Sequence, residues 1–346
     1  MTMIGECSVT TRPSLFLATT FSVACLFPLH AQAQSSMPTP PASGPSVQAA
    51  TRVVSDPLFL PRKGQVYGAS VFTIDKPKGD NFKAGVQTGS FTATDSLFSQ
   101  TLAFGVLDTL TIRLVEGYGM NKRDSTSAAT GDVTTGSSRG FNDPAISATL
   151  RVFDEPRSPF IADLTASYSP DFIAAKAGGS SGSDGTIGRG GQTAGLSLAV
   201  GRVMESFTIA ATVGSTYVGQ QTTEVLSNGT STEAMSHWNY NVGLTTQTRF
   251  TDRASLDAGV SVATAQDYDV SNIDKSNTRS YSPPSSRTLN LALNYHLVPN
   301  RVVGVFTYAY NNYGESTNTF GKAASNTAVE NRMGNVFGVR LLYLFN

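Results

Sequence analysis

The chain has 346 residues, 40% of them hydrophobic and only 14% charged, with a formal net charge of zero. This length suits two soluble domains or one large barrel, but a soluble globular domain usually carries about 25% charged residues. The hydrophobic content is too low for a bundle of membrane helices, and the zero net charge argues against nucleic acid as a partner.

Residues 1–33 have the pattern of a secretory signal peptide. Arg12 supplies a positive start, an apolar run follows at 15–29, and Ala31-Gln32-Ala33 fits the A-x-A cleavage rule. We predict cleavage after Ala33. The alternatives are a membrane anchor or a lipid attached at Cys25.

Residues 34–63 form a segment rich in Pro, Ser and Ala. This composition favours an extended or disordered chain, and we interpret the segment as a periplasmic linker. Its last part, 53–61, is more apolar. An alternative is that this part folds into the mouth of the following domain as a plug.

From residue 64 onward the sequence predicts twelve β-strands. Each has about the length of ten or so residues with which a tilted strand crosses the hydrocarbon of a membrane. The predicted strands lie near 64–75, 97–107, 109–120, 143–154, 158–170, 192–202, 206–218, 237–250, 254–267, 286–298, 301–312 and 334–346.

The stretch 238–250 alternates strictly between an apolar and a polar face. Its apolar parity begins with Trp238 and Tyr240 and ends with Phe250, so aromatic side chains mark both ends. A membrane-spanning strand needs its interfacial girdles at these places. A short polar turn and a second alternating strand follow, and the pair predicts a transmembrane β-hairpin that the rest of the chain repeats.

The connectors between the predicted strands alternate between short and long. The short turns centre on Asp108, Glu155-Pro156, Met204-Glu205, Thr251-Asp252 and Pro299-Asn300. Between them lie long stretches of Gly, Ser, Thr, Asn and Asp, such as 121–142, 171–192 and 312–333. This alternation is typical of an outer-membrane barrel with periplasmic turns and longer extracellular loops, and it places both termini in the periplasm. A soluble β-sandwich gives no reason for it.

A spanning sheet must close on itself, because no backbone polar group can stay unpaired in hydrocarbon. An even number of antiparallel strands permits this closure. The final predicted strand carries on one face Phe337, Val339, Leu341, Tyr343 and Phe345. An aromatic residue close to the C-terminus resembles the signal that the barrel-assembly machinery reads, although Asn346 takes the last position.

Charge assigns the inward face, because an Arg or Lys facing lipid at the membrane centre costs about 2–4 kcal/mol. The candidate residues of the lumen or its constriction are Arg151, Asp163, Asn241, Gln247, Arg249, Asp257, Asn290, Asn294 and Arg340. They form either ion pairs that fix a closed interior or a row of constriction charges that selects a solute. In the third strand Arg113 and Glu116 have opposite parity, and the sequence leaves open which of them faces the lumen.

No catalytic, cofactor or metal site stands out in the sequence. Both cysteines, Cys7 and Cys25, fall in the leader, so the mature chain is predicted to lack disulfides and thiolate metal sites. Ser236 and His237 suggest the hydrolytic pair of outer-membrane lipid hydrolases, but adjacent residues of a strand point to opposite faces. We therefore expect His237 to be a rim residue of the lumen, and His296 to be paired or solvated.

The segment 140–151, GFNDPAISATLR, contains a turn of the pattern G-x-(G/N)-D-P that enters a strand. Tyr118-Gly119 before it and Tyr168-Ser169-Pro170 after it take corresponding places. In these residues the chain resembles an outer-membrane family named for a meta-pathway of phenol degradation, although Pro170 departs from that family's Pro-Thr-Gly step. The resemblance implies a barrel that transports aromatic or hydrophobic compounds, and no binding residue is carried over from it.

We therefore predict an all-β, up-and-down antiparallel barrel of about twelve strands at 64–346, located in a bacterial outer membrane. Its predicted function is passive or facilitated passage of small molecules, aromatic or hydrophobic ones among them. The predicted partners are the outer-membrane lipid, the barrel-assembly machinery and a small-molecule solute. A non-conducting structural or adhesin-like barrel is the alternative. Neither enzymatic activity nor a cofactor is predicted.

Overall fold

The computed structural model describes residues 54–154, 158–177, 185–226, 230–273, 277–321 and 325–345. The predicted signal peptide, with its cleavage site and both cysteines, lies outside these residues, as does most of the Pro-rich segment. Within the described residues, no helix is long and apolar enough to cross a membrane.

The described residues form twenty β-strands. In chain order these are β1 (Val66–Asp75), β2 (Lys78–Lys83), β3 (Val86–Leu107), β4 (Leu110–Ser127), β5 (Val133–Phe141), β6 (Ala145–Phe153), β7 (Ile161–Ser169), β8 (Ala175–Ala177), β9 (Thr193–Val203), β10 (Phe207–Val218), β11 (Gln221–Val225), β12 (Thr230–Ala234), β13 (His237–Thr251), β14 (Ala254–Ala265), β15 (Tyr268–Asn272), β16 (Thr278–Ser282), β17 (Ser286–Val298), β18 (Val302–Tyr313), β19 (Ser316–Thr319) and β20 (Thr327–Phe345).

Twelve of these strands form a closed antiparallel barrel, in the order β1, β3, β4, β6, β7, β9, β10, β13, β14, β17, β18 and β20. The ring closes because β1 pairs with β3 on one side and with β20 on the other. Val66, for example, lies between Phe104 and Phe345. Each of the twelve predicted strands overlaps one strand of this ring, so the predicted fold class is confirmed.

Four of the five short turns lie at one end of the barrel, together with the start of β1 and the end of β20, and the fifth, at Glu155-Pro156, falls outside the described residues. We call this the turn end and the opposite end the loop end. The sequence predicted long loops at the loop end, and the described parts of these connections contain further strands. The chain at 121–142, for instance, continues β4 to Ser127 and returns as β5. Further strand pairs at the loop end involve β2, β11, β12, β15, β16 and β19. The wall therefore extends beyond the predicted strands at this end.

The outer face is apolar and the inner face is polar, as a barrel surrounded by lipid requires. Aromatic rings cluster near both ends of the outer wall. Toward the loop end, Tyr118 packs on Phe141, and the ring of Tyr217 lies 5.4 Å from that of Trp238. Toward the turn end lie Phe104, Phe153, Phe160, Phe250 and Phe345. The two rows have the positions of the interfacial girdles that anchor a spanning barrel.

Candidate functional site

Strand alternation decides which side chains reach the lumen. In β13 the side chains of Trp238, Tyr240 and Leu244 are exposed on the outer wall, whereas Gln247 is completely buried. The period of two repeats around the ring and gives the lumen a lining of small and polar side chains. Examples from β9 and β10 are Gly195, Ser197, Ala199, Ala210, Thr212 and Gly214.

The chain before β1 lies inside the turn end of the barrel. We call residues 54–63 the N-terminal segment. Its side chains Val54, Leu58 and Phe59 are almost fully buried. Phe59 belongs to an apolar cluster with residues of β1, β3, β18 and β20, while Leu58 packs with residues of β7, β9 and β10. The segment therefore contacts opposite sides of the ring and lies across the lumen.

The exit of the N-terminal segment into the wall requires a glycine. The amide of Gly64 donates to the carbonyl oxygen of Gly105 at 2.8 Å, which places the segment beside the end of β3. A Cβ atom at position 105 would collide with the carbonyl oxygen of Arg62. Gly105 thus permits the close approach of two backbones at the point where the segment enters the lumen.

Asp56 anchors the N-terminal segment, and none of its side chain is exposed to solvent. Its Oδ1 accepts from the amide of Leu58 at 2.9 Å. Its Oδ2 accepts from Thr208 Oγ1 at 3.0 Å and from Arg249 Nη2 at 3.1 Å. One carboxylate therefore orders the turn of the segment and also ties it to β10 and β13.

Arg151 and Asp163 form a buried ion pair between β6 and β7. Arg151 Nε donates to Asp163 Oδ1 at 2.8 Å and its Nη2 donates to Oδ2 at 2.9 Å, in the two-pronged geometry that favours Arg with carboxylates. Nη2 also donates to the carbonyl oxygen of Leu58 at 2.8 Å, and Nη1 lies 3.6 Å from Asp154. The pair thus holds the N-terminal segment as well as the wall.

A third contact region joins the segment to β13, β14 and β17. Gln247 Nε2 donates to the carbonyl oxygen of Ser55 at 2.8 Å and to Asp257 Oδ1 at 2.9 Å. Asn294 Nδ2 donates to the same Asp257 oxygen at 2.9 Å, and Ser55 Oγ lies 3.2 Å from His296 Nε2. These hydrogen bonds tie the N-terminal segment to three neighbouring strands of the wall.

The structure brings six of the nine predicted lumen residues together around the N-terminal segment: Arg151, Asp163, Gln247, Arg249, Asp257 and Asn294. Asn241 and Asn290 share the inward parity but lie farther toward the loop end, opposite small residues such as Gly214 and Gly259. Arg340 lies on the inward face of β20 and interacts electrostatically with Asp257.

The structure also resolves the ambiguous third strand. Arg113 is buried on the inward face of β4, and Glu116 is exposed on the outward face with Leu114 and Tyr118. No register shift separates Arg113 from Glu116, so the strand keeps its regular alternation between them. Glu116 lies where the partner of β4 changes from β6, which ends its pairing at Val115, to β5, which begins it at Tyr118.

Near the loop end, aromatic rings hold the inward cations. The guanidinium of Arg123 lies 3.8 Å from the ring centre of Phe91, and that of Arg332 lies 4.5 Å from the ring centre of Tyr313. In β16, Arg279 Nε donates to Asn318 at 2.8 Å, and burial lowers the pKa of Arg279. The lumen therefore changes from buried ion pairs at one end to stacked cations at the other.

The two histidines of the described residues pack against neighbouring side chains. The ring of His237 stacks on Tyr268 with centroids 3.9 Å apart, and its Nδ1 lies 3.1 Å from the carbonyl oxygen of Met235. His296 contacts Ser55 as described above. Neither arrangement contains the nucleophile, base and orienting acid of a hydrolytic site.

Sequence reasoning missed Asp56, Ser55, Thr208 and Tyr67 as lumen residues. The first two lie in a segment without periodicity, so no parity argument reached them. Thr208 and Tyr67 do have inward parity in β10 and β1, and the alternation could have found them. The selection favoured charged and amide side chains of the inward parity and passed over both.

The geometry agrees with known barrels. An outer membrane channel from Pseudomonas putida F1 matches 88% of this chain and 100% of its own length, at 13% identity and a TM-score of 0.56. The transport unit of the autotransporter AIDA-I from Escherichia coli matches 82% of this chain and 93% of its own, at 13% identity and a TM-score of 0.51. The fold is that of an outer-membrane β-barrel.

Sequence comparison adds nothing to this likeness. No protein-family model matches the chain, and no curated protein matches it. The resemblance to the family named for phenol degradation therefore stays a prediction.

Proposed function

We propose that the protein is an outer-membrane channel that passes small molecules, aromatic or hydrophobic ones among them. The observation that carries this proposal is the lumen itself. Above the N-terminal segment its lining on β9, β10, β13 and β14 consists largely of Gly, Ala, Ser and Thr, which leave space. The likeness of the fold to the Pseudomonas putida channel supports a passage through the membrane.

In this proposal the N-terminal segment blocks the lumen, so the channel is closed at rest. The segment's contacts reach β6, β10, β13 and β17 through polar side chains, and β1, β3, β18 and β20 through an apolar cluster. A solute that enters from the loop end meets Leu58 and Phe59 before the turn end. Passage then requires that the segment moves and that the hydrogen bonds of Asp56 with Thr208 and Arg249 break.

Single-channel conductance in planar bilayers tests the proposal. The full chain as purified from outer membranes is compared with the Asp56→Ala/Phe59→Ala variant, which removes the anchor and the largest apolar contact of the segment. We expect rare or small current steps from the unmodified protein and frequent, stable, larger steps from the variant. An Asp132→Ala variant, altered in the exposed turn between β4 and β5, is the matched control and should behave like the unmodified protein.

Folding is checked in each sample by the slower migration of unheated barrel in a detergent gel. A second variant replaces residues 54–61 with Gly and Ser, in case loss of Asp56 leaves Arg249 without its partner and the barrel fails to fold. If folded barrels of both variants remain silent, the channel function is wrong. The non-conducting structural or surface-interaction barrel is then the function that fits.

A further inference from the structure

Glu116 and Gln100 form a polar patch on the outer wall of the barrel. Gln100 of β3 lies directly opposite Glu116 of β4. Both have the outward parity of Leu102 and Leu114, the next outward pair toward the turn end, whose side chains are exposed. Ser70 of β1 lies opposite Gln100 on its other side. The patch therefore spans three neighbouring strands of the wall.

The patch lies between the two rows of aromatic side chains that mark the interfaces. On β3 the outward neighbours of Gln100 are Phe98 and Leu102, and Phe104 of the turn-end row follows. On β4 Glu116 comes one outward position before Tyr118 of the loop-end row. The patch thus faces lipid in the half of the membrane nearer the loop end. Ionisable side chains are rare there, and those that occur usually have a partner.

The patch leaves one donor and one acceptor unpaired within the chain. Gln100 Oε1 accepts from Ser70 Oγ at 3.0 Å and lies 3.5 Å from the hydroxyl oxygen of Tyr343. The Nε2 of Gln100 and the carboxylate of Glu116 have no hydrogen-bond partner among the described residues. Lipid chains offer neither donors nor acceptors, so pairing of these groups requires a polar partner at the outer wall.

A second copy of the barrel has both groups in the required places. In a two-fold interface the same patch serves both copies, so each residue meets a different residue of the other copy. Gln100 and Glu116 are cross-strand neighbours, about 5 Å apart. A two-fold axis along the membrane normal that passes between them sets each amide against the other copy's carboxylate. The same axis keeps the loop ends of both copies on one side of the membrane.

We propose that the barrel forms a two-fold dimer in the membrane through this patch, with Gln100 of each copy donating to Glu116 of the other. The exposed side chains around the patch, among them Phe98, Leu102 and Leu114, supply apolar contacts between the copies. Polar side chains are favourable at such an interface because they bond to the other copy and no longer face lipid. The inference does not depend on the proposed channel function, since the patch lies outside the lumen.

Native mass spectrometry of the protein purified from outer membranes in mild detergent measures the dimer by its mass. Gln100→Leu and Glu116→Leu should each raise the dissociation constant of the dimer about tenfold or more, because either change removes both symmetry-related hydrogen bonds. Both variants place an apolar side chain toward lipid and should fold, which gel mobility checks. Thr246→Val is the matched control, because it removes a polar group from the outward face of β13 and should leave the dimer unchanged.

A mixture of the two Leu variants tests the pairing itself. In the mixed dimer one contact keeps its amide and carboxylate, and the other joins two Leu side chains. Equal amounts of Gln100→Leu and Glu116→Leu should therefore form more dimer than either variant alone. Labelling one variant with ¹⁵N identifies this dimer by its intermediate mass.

Cross-linking in outer membranes locates the interface. Leu114→Cys, next to the patch, should give a covalent dimer with a short bismaleimide. Leu244→Cys should not, because Leu244 is an outward residue of β13, six strands away from β3 around the ring of twelve. The unmodified protein, treated in the same way, accounts for any product that does not involve the introduced cysteine.

Three results would each overturn this interface. The first is an unmodified protein that is monomeric in detergent, together with a Leu114→Cys barrel that does not cross-link in the membrane. The second is an undiminished dimer of the folded Gln100→Leu and Glu116→Leu variants. The third is a mixture of these variants that forms no more dimer than either alone.

Discussion

At the scale of single residues, the turn end pairs buried charges with one another. Arg151 and Asp163 were predicted as lumen residues from their charge and strand parity, and the geometry gives them a second role that neither indicates. The same guanidinium that meets Asp163 also meets the backbone of Leu58. Charge placement in this barrel thus serves the contact between wall and N-terminal segment.

Removing one partner of the Arg151–Asp163 pair should lower the free energy of unfolding by a large amount. Asp163 is completely buried, and Arg151 would keep its charge in Asp163→Asn. Breaking a buried pair from one side typically costs about 3–5 kcal/mol. We expect Asp163→Asn to lower the free energy of unfolding by this amount in a urea titration of barrel in lipid vesicles.

A double-mutant cycle separates the pair from its surroundings. The combined Arg151→Gln/Asp163→Asn variant should recover part of the loss, because it no longer buries an unpaired charge. The exposed pair Lys122–Asp124 is the control, and Lys122→Ala should change stability by less than about 1 kcal/mol. Equal, additive losses from the two single changes would show that they do not act as a pair.

At the scale of elements, the strands that face lipid were predictable and those at the loop end were not. β13 is predictable from its alternation of apolar and polar residues, because lipid on one side and the polar lumen on the other favour different side chains. β11, Gln221–Val225, and β16, Thr278–Ser282, carry mostly polar side chains on both faces, so no apolar period of two marks them in the sequence. Their pairing is a consequence of backbone hydrogen bonding to neighbouring strands.

The turn at 140–145 illustrates the same limit, because its motif was recognised without its task. Asp143 is buried, and its Oδ1 accepts from the amides of Phe172 at 2.9 Å and Ile173 at 2.8 Å. Its Oδ2 accepts from the amide of Arg189 at 3.0 Å. One carboxylate of the segment before β6 therefore ties down both described ends of the connection between β7 and β9.

Asp143→Ala should loosen this connection and leave the barrel intact. Hydrogen exchange at the amides of Phe172, Ile173 and Arg189 should accelerate about tenfold or more, since each loses its acceptor. Amides of β7 and β9 should exchange as before. Measurement by mass spectrometry at peptide level, with Asp132→Ala as a control on an exposed turn, is sufficient. Unchanged protection at 172–189 would mean that other contacts hold the connection.

At the scale of the whole molecule, the ring follows from the solvent. A sheet in hydrocarbon must close, and the pairing of β1 with β20 satisfies the last row of backbone groups. Strand number, turn positions and the inward parity were available from the sequence because lipid enforces all three. The sequence favoured a linker for residues 34–63 and gave a plug at 53–61 only as the alternative, because a segment inside the lumen is held by shape and hydrogen bonds and shows no repeating pattern.

The last prediction compares the two sides of the barrel wall, one facing lipid and the other facing the lumen. Leu244 and Thr245 are neighbours at the middle of β13 and face opposite sides of the wall, with Leu244 on the exposed outer side. Leu244→Arg places a charge in hydrocarbon, and we expect it to lower the free energy of unfolding in vesicles by about 2–4 kcal/mol. Thr245→Arg places the same charge in the lumen and should cost clearly less.

Guanidinium titrations of the two variants, followed by tryptophan fluorescence of Trp238, measure the difference. Both variants introduce the same side chain at adjacent positions of one strand, so the introduced group is matched between them. Thr245→Arg should also reduce the conductance of the Asp56→Ala/Phe59→Ala barrel, since it narrows the lumen. Equal destabilisation by the two changes would mean that the outer face of β13 does not contact lipid. The assignment of the outer face to the membrane would then be wrong.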